Sequence, residues 1–136
     1  MHLIPATVTV LSLTAAPAGA APCAAASVPA VTIQILSASA AGFHGANLDV
    51  SYTCRPRSTD TLGAEVVRPG SPRGSGALAT MQRMTCDGRA RTTTLHASGP
   101  PSASGLPQHG ETAACFVDAY KADDAIAEAR RTLELS

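Results

Sequence analysis

The sequence predicts an all-β domain, a sandwich or a barrel. Three observations carry that prediction. Segments rich in β-branched residues alternate with Gly/Pro/Ser clusters roughly every ten residues. The segment from Leu48 to Cys54 alternates cleanly between apolar and polar side chains. The dipeptide Asp87-Gly88 sits between two strand patterns, where a tight hairpin turn would be placed.

Each element follows in order. Val31-Thr32-Ile33-Gln34-Ile35-Leu36 is β-branched and reads as a first strand. Gly42-Phe43-His44-Gly45 is a turn. Leu48, Val50, Tyr52 and Cys54 then form an inner face, against Asn47, Asp49, Ser51 and Thr53 on the outer one. Residues 62–68 make a third strand. The run 69–76, with Pro69, Pro72 and three glycines, is a loop. A fourth strand is expected from about Leu78 to Cys86, turning at Asp87-Gly88 into a fifth from Arg89 to Ala97. Residues 98–110 form a long flexible connection. A sixth strand at about 111–120 places Ala113, Cys115, Val117 and Ala119 on one face. Over 124–135 helix propensity competes with a strand face made of Ala127, Ala129, Leu133 and Leu135, interrupted by Arg131. Strand is expected there, because six strands need a closing edge.

The chain has 136 residues, which allows one domain plus a processed segment. Ten basic and ten acidic side chains cancel, so no global field draws it to nucleic acid or an anionic membrane. No Asp, Glu, Lys or Arg precedes Asp49. Within that stretch residues 3–16 are an apolar run, broken by Pro17 and followed by Ala18-Gly19-Ala20, the small residues a signal peptidase reads. His2 is the only candidate for a positive n-region. The expected organisation is a signal peptide at 1–20, a linker at 21–29 and a domain at 30–136, so the protein is secreted and has no membrane segment once the signal is removed. A cut after Ala26 instead of Ala20 would also remove Cys23.

The segment Leu48-Asp-Val-Ser-Tyr52-Thr-Cys54, then Met84-Thr-Cys86-Asp87-Gly88, then a Pro/Gly-rich connection into a Gly-led strand, resembles a family of small secreted actinobacterial proteins. These are domains of unknown function with an immunoglobulin-like Greek-key β-sandwich of about seven strands. The resemblance covers roughly residues 30–136. It implies a Cys54–Cys86 disulfide and a strand at the C-terminus, and it implies no activity. Cys23 and Cys115 lie outside the family's pattern. With four cysteines in an oxidising compartment, the expected pairing is Cys54–Cys86 with Cys23–Cys115. The rival, Cys54–Cys115, would copy the inter-sheet bridge of antibody domains.

No metal site is expected. The cysteines are widely spaced, with no Cys-x-x-Cys and no histidine at ligand spacing. No cofactor is expected either: Gly70, Gly74 and Gly76 lack the Lys-Ser/Thr of a phosphate loop. A catalytic set could be assembled on paper from His96, Asp118 and a serine, but no Gly-x-Ser-x-Gly elbow positions a nucleophile. The adjacent pair Asp123-Asp124 would point to opposite faces of a strand. Nine arginines stand against a single lysine. Arg55, Arg57, Arg68 and Arg73 are candidates for a basic patch that recognises a carboxylate or phosphate on a partner. The expectation is a non-enzymatic binding module using the loops at 55–61, 69–76 and 98–110. Its partner would be an extracellular protein or cell-wall component, with no nucleic acid. The alternative is a secreted protease inhibitor presenting the 98–110 loop.

Overall fold

A computed structural model describes residues 29–100 and 106–136. The expected signal peptide, most of the linker and Cys23 lie outside the described residues. The described chain is all-β, with eight antiparallel strands: β1 (Val31–Ala40), β2 (Gly45–Cys54), β3 (Thr61–Val67), β4 (Ala77–Ala79), β5 (Gln82–Arg83), β6 (Arg91–Ser98), β7 (Thr112–Lys121) and β8 (Asp124–Glu134). They form one sheet in the order β1-β2-β6-β4-β3-β7-β8, with β5 paired to β3. The competition over 124–135 resolves as strand: β8 pairs with β7 from Lys121–Asp124 to Thr112–Glu134. Tertiary pairing overrides the helix propensity of its alanines.

The sheet curls on itself until its two edges meet. Six antiparallel steps separate β8 from β1, so the two edge strands run the same way. Ser136 completes a short parallel contact, its N–H donating to Ala38 and its carbonyl accepting from Ala40 at 3.0 Å. Below that point the Arg131 guanidinium spans the seam and donates to the carbonyl of Ile35 at 2.8 Å. The charged residue that broke the apolar face of the last strand therefore serves the edge: it satisfies a carbonyl that no ladder reaches.

The core fills the interior. Leu48, Val50, Leu62, Val66, Leu95, Val117 and Leu135 are fully or nearly fully buried. The face expected on β7 is confirmed, with Ala113, Cys115, Val117 and Ala119 all shut off from solvent. With so few aromatics, the interior is built from Ala, Val and Leu, and the sheet curls tightly enough to let them meet. Leu106 is buried against it and packs at Gly99, so the far part of the 98–110 connection is not free.

Three expectations change. A pair of packed sheets was expected, and a single sheet is found, because β4 bonds to both β6 and β3 and joins what would be two layers. The fourth strand breaks in two, and Asp87-Gly88 does not close a hairpin. β4 pairs with β6, whereas β5 leaves it for β3. Residues 84–88 are drawn instead to the end of β2: Cys86 is disulfide-bonded to Cys54, and the Gly88 N–H donates to the Cys54 carbonyl at 2.9 Å. Gly88 does take the positive φ a turn requires, at 79°.

Candidate functional site

β2 ends and β3 begins at the same end of the barrel, where β7 turns into β8 and the 84–90 loop arrives. Three connections meet there and are tied to one another. The Cys54–Cys86 disulfide joins the β2–β3 connection to the 84–90 loop. The Met84 N–H donates to the Asp60 carbonyl at 2.9 Å, and the Asp60 N–H to the Tyr120 carbonyl at 2.7 Å. The Thr59 hydroxyl donates to the same Tyr120 oxygen at 2.8 Å. The Asp60 carboxylate accepts the Ala122 N–H at 2.8 Å and pairs with Lys121 at 3.3 Å; these bonds hold its carboxyl below the usual range. Tyr52, buried beneath, accepts the Thr85 N–H on its hydroxyl oxygen at 3.0 Å.

On this base, 55–58 forms a tight turn. The Ser58 N–H donates to the Arg55 carbonyl at 3.0 Å, with Pro56 and Arg57 between them. Arg57 has φ of 64°, a position that glycine or asparagine fills at lower cost. Arg55 and Arg57 are exposed, and their guanidinium groups make no hydrogen bond or ion pair within the described residues. Arg89 is exposed one residue beyond the Gly88–Cys54 hydrogen bond. Its own N–H donates to Asp87, whose second oxygen pairs with Arg91; the two contacts, that of Arg91 first, lower the Asp87 carboxyl.

The four arginines expected as one patch are not brought together. Arg68 and Arg73 follow the far end of β3, a seven-residue strand away. Such a strand spans about 20 Å. Arg68 pairs with Glu111 at 3.3 Å. Arg73 folds back over the outer face of β3, β7 and β8. Its guanidinium meets Glu65 at 2.8 Å, Asp118 at 2.9 Å and Glu128 at 3.0 Å, and lies 4.2 Å above the centre of the Phe116 ring. Burial pushes the Glu128 carboxyl up, but the bonds from Arg130 and Arg73 outweigh it and hold it low. Glu65 and Asp118 are 2% and 7% exposed, and Glu65 also accepts the N–H of Gly74 and, at 3.4 Å, of Gly76. This network fastens the 68–76 loop to the sheet. Gly76 is obligatory under it, since a Cβ there would stand 2.1 Å from the Val66 carbonyl oxygen.

The residues of the paper triad do not meet. His96 is on β6 with its Nδ1 at 2.6 Å from Asn47, Asp118 is on β7 under Arg73, and β4 and β3 lie between. Asp123 and Asp124 are exposed at the β7–β8 turn. Among the described residues no three His, Cys, Asp or Glu side chains converge as metal ligands do. Cys115 is buried and has no disulfide partner among the described residues, and burial pushes its thiol up to about 11; its expected partner Cys23 is outside the described residues. Arg89 is the residue that sequence reasoning missed at the disulfide end. Its place next to Cys86-Asp-Gly was the available signal, once Cys86 was paired with Cys54. No helix of the described chain is long and apolar enough to cross a membrane. No protein-family model matches the chain, and no curated protein does.

Proposed function

We propose that the protein is a secreted, non-enzymatic binding module with immunoglobulin-type Greek-key connectivity, and that it binds through the disulfide-tied end. The connectivity reading is supported by strand order: β1-β2-β6-β4 followed by β3-β7-β8 runs as the ABED and CFG sets of a constant-type domain do. Export is supported by the charge-free apolar run at 3–16 with small residues behind it, and by a disulfide, which persists in oxidising compartments. A non-catalytic role is supported by the engagement of the side chains a hydrolase would recruit: His96 is held by Asn47 and Asp118 by Arg73.

The carrying observation is the cross-tying of three connections at one end. A surface already fixed by a disulfide and a chain of backbone hydrogen bonds loses little entropy when it is covered. Sandwich scaffolds bind by that kind of loop end. By contrast, the outer face of β1, β2 and β6 is filled by short polar side chains bonded to one another, such as Ser37 and Thr94 on Asp49.

A photo-crosslinking residue placed at Arg57 or Arg89, in protein exported by its own cells, tests the reading. The expected outcome is a discrete adduct from these positions and none from Gln34 or Thr92 on the polar face. Adducts from the polar face alone, or from neither, would overturn it. Inhibition of a subtilisin-like or trypsin-like protease by the purified protein would replace it with the inhibitor reading. Sequencing of the N-terminus of the exported protein tests the signal: a start at Ala21 is expected.

A further inference from the structure

We infer that the disulfide-tied end docks an acidic peptide segment of a protein partner, with the guanidinium groups of Arg55, Arg57 and Arg89 taking its carboxylates. The inference rests on the binding-module reading and supplies the chemistry of the partner.

The chain is neutral overall but not evenly charged. At this end Arg91 is committed to Asp87, which also feels Arg89, and Lys121 to Asp60, which also feels Arg83. Asp123 and Asp124 add two negative charges on the β7–β8 turn, and the cations of this end, Arg55, Arg57, Arg83, Arg89, Arg91 and Lys121, still outnumber its carboxylates. That leaves Arg55, Arg57, Arg83 and Arg89 with guanidinium groups that make no hydrogen bond or ion pair among the described residues; Arg83 lies on β5, and the other three stand on the two loops that the disulfide joins. The other exposed arginines are used: Arg68 by Glu111, Arg73 by three carboxylates, Arg130 by Glu128, Arg131 by the seam. A surface that pairs its cations elsewhere and leaves Arg55, Arg57 and Arg89 on loops tied by the disulfide is complementary to negative charge.

Geometry selects an acidic peptide. Arg55 and Arg57 flank Pro56 in a turn closed by the Ser58 N–H and by the Ser58 hydroxyl, which donates to the same Arg55 oxygen at 2.6 Å. Their Cα atoms are two residues apart, at most about 7 Å. The turn holds them inside that limit, close enough to meet carboxylates of one and the same segment. Arg89 enters from the neighbouring loop, since Gly88 and Cys54, the residues before Arg89 and Arg55, are hydrogen-bonded at 2.9 Å. A guanidinium takes a carboxylate through two parallel hydrogen bonds, so three of them on a fixed frame read charge and position together. Arg57 reinforces the point. It holds a backbone conformation that glycine would fill more cheaply, and its side chain repays that with no contact inside the described chain.

The test is binding of a fluorescein-labelled peptide of alternating Gly and Glu to the purified, oxidised protein. Binding is expected at low salt and should weaken steadily as salt rises. The Arg55→Gln/Arg57→Gln/Arg89→Gln variant should bind roughly tenfold more weakly or worse, since exposed pairs of this kind add up to that order. Arg130→Gln, which removes a charge elsewhere, should bind as the parent does. The three guanidinium groups make no hydrogen bond or ion pair among the described residues, and the substitutions leave the backbone bonds of Arg55 and Arg89 in place, so an unchanged melting temperature confirms that the triple variant is folded. Three outcomes would overturn the inference: no peptide binding at low salt, an equal loss in Arg130→Gln, or binding of inorganic polyphosphate without binding of the peptide. Crosslinks at Arg57 or Arg89 with no affinity for the peptide would leave the binding module standing and remove only its acidic partner.

Discussion

At the scale of single residues, two arginines show opposite economies. Arg57 is strained and touches nothing, so its removal should help the fold. The left-handed conformation costs an L-residue about 1–2 kcal/mol, and glycine would return about 0.5–1 kcal/mol of that through the greater freedom of the unfolded chain. Arg57→Gly is therefore expected to stabilise the protein by up to about 1 kcal/mol, read as a rise in melting temperature. A fall would mean that the side chain is held by a contact. Arg73 is the reverse, a half-exposed cation serving two buried carboxylates. Removing it leaves Glu65 and Asp118 without their cation. Arg73→Met should cost about 1–3 kcal/mol, below the range for fully buried pairs because Arg73 is 42% exposed. Combining it with Glu65→Gln should cost less than the sum of the single changes, because each change removes part of the reason for the other. Denaturant melts of the four proteins give the coupling, and simple additivity would show that Arg73 does not fasten the loop.

At the scale of elements, what was legible in the sequence was local periodicity. The inner face of β2 was readable from Leu48 to Cys54, and that of β7 from Ala113 to Ala119, since burial on one side of a strand imposes a period of two. What was not legible was pairing. Asp87-Gly88 has the composition of a hairpin turn, yet the neighbouring Cys86 is held by Cys54, thirty-two residues earlier, and that long-range bond overrides the local preference. The same bond explains the site. Arg55 and Arg57 were found because they are near each other in sequence, Arg89 was not because only the disulfide brings it in, and Arg68 and Arg73 were wrongly grouped because a whole strand intervenes. Closing that loop should be worth about 3–4 kcal/mol on the chain-entropy account. Cys54→Ser/Cys86→Ser is thus expected to lower stability by about that amount. It should also free the 84–88 segment, so amide exchange at Gly88 should quicken more than exchange on β7. Equal acceleration throughout would mean that the bridge stabilises the molecule without shaping this end.

At the scale of the whole molecule, stability should form a dome in pH whose two sides have different owners. On the acid side Asp49, Asp60, Asp87, Glu111 and Glu128 are all held below their ordinary values by hydrogen bonds and cations. A depressed carboxyl contributes stability that is present above its unfolded value, near 4, and is lost as pH falls through its folded one. Melting temperature should therefore hold from neutrality to about pH 5 and fall below it. On the alkaline side the owners are Cys115 and Tyr120, whose hydroxyl burial also pushes up, Cys115 being the more deeply buried. The Cys115 thiol is raised to about 11 in the fold by burial, against an ordinary value of 9.0. A raised group contributes stability that is fully present below the unfolded value and is lost as pH rises through the folded one. About 2–3 kcal/mol should thus disappear between pH 9 and 11. Cys115→Ala should be less stable at pH 7, because it leaves a small cavity in the core, but over that interval it should lose only the share that belongs to Tyr120. The comparison also decides the second bridge. If Cys115 is bonded to Cys23, it has no proton to lose, and parent and variant should show the same alkaline slope; a steeper parent slope means a free thiol sealed in the core.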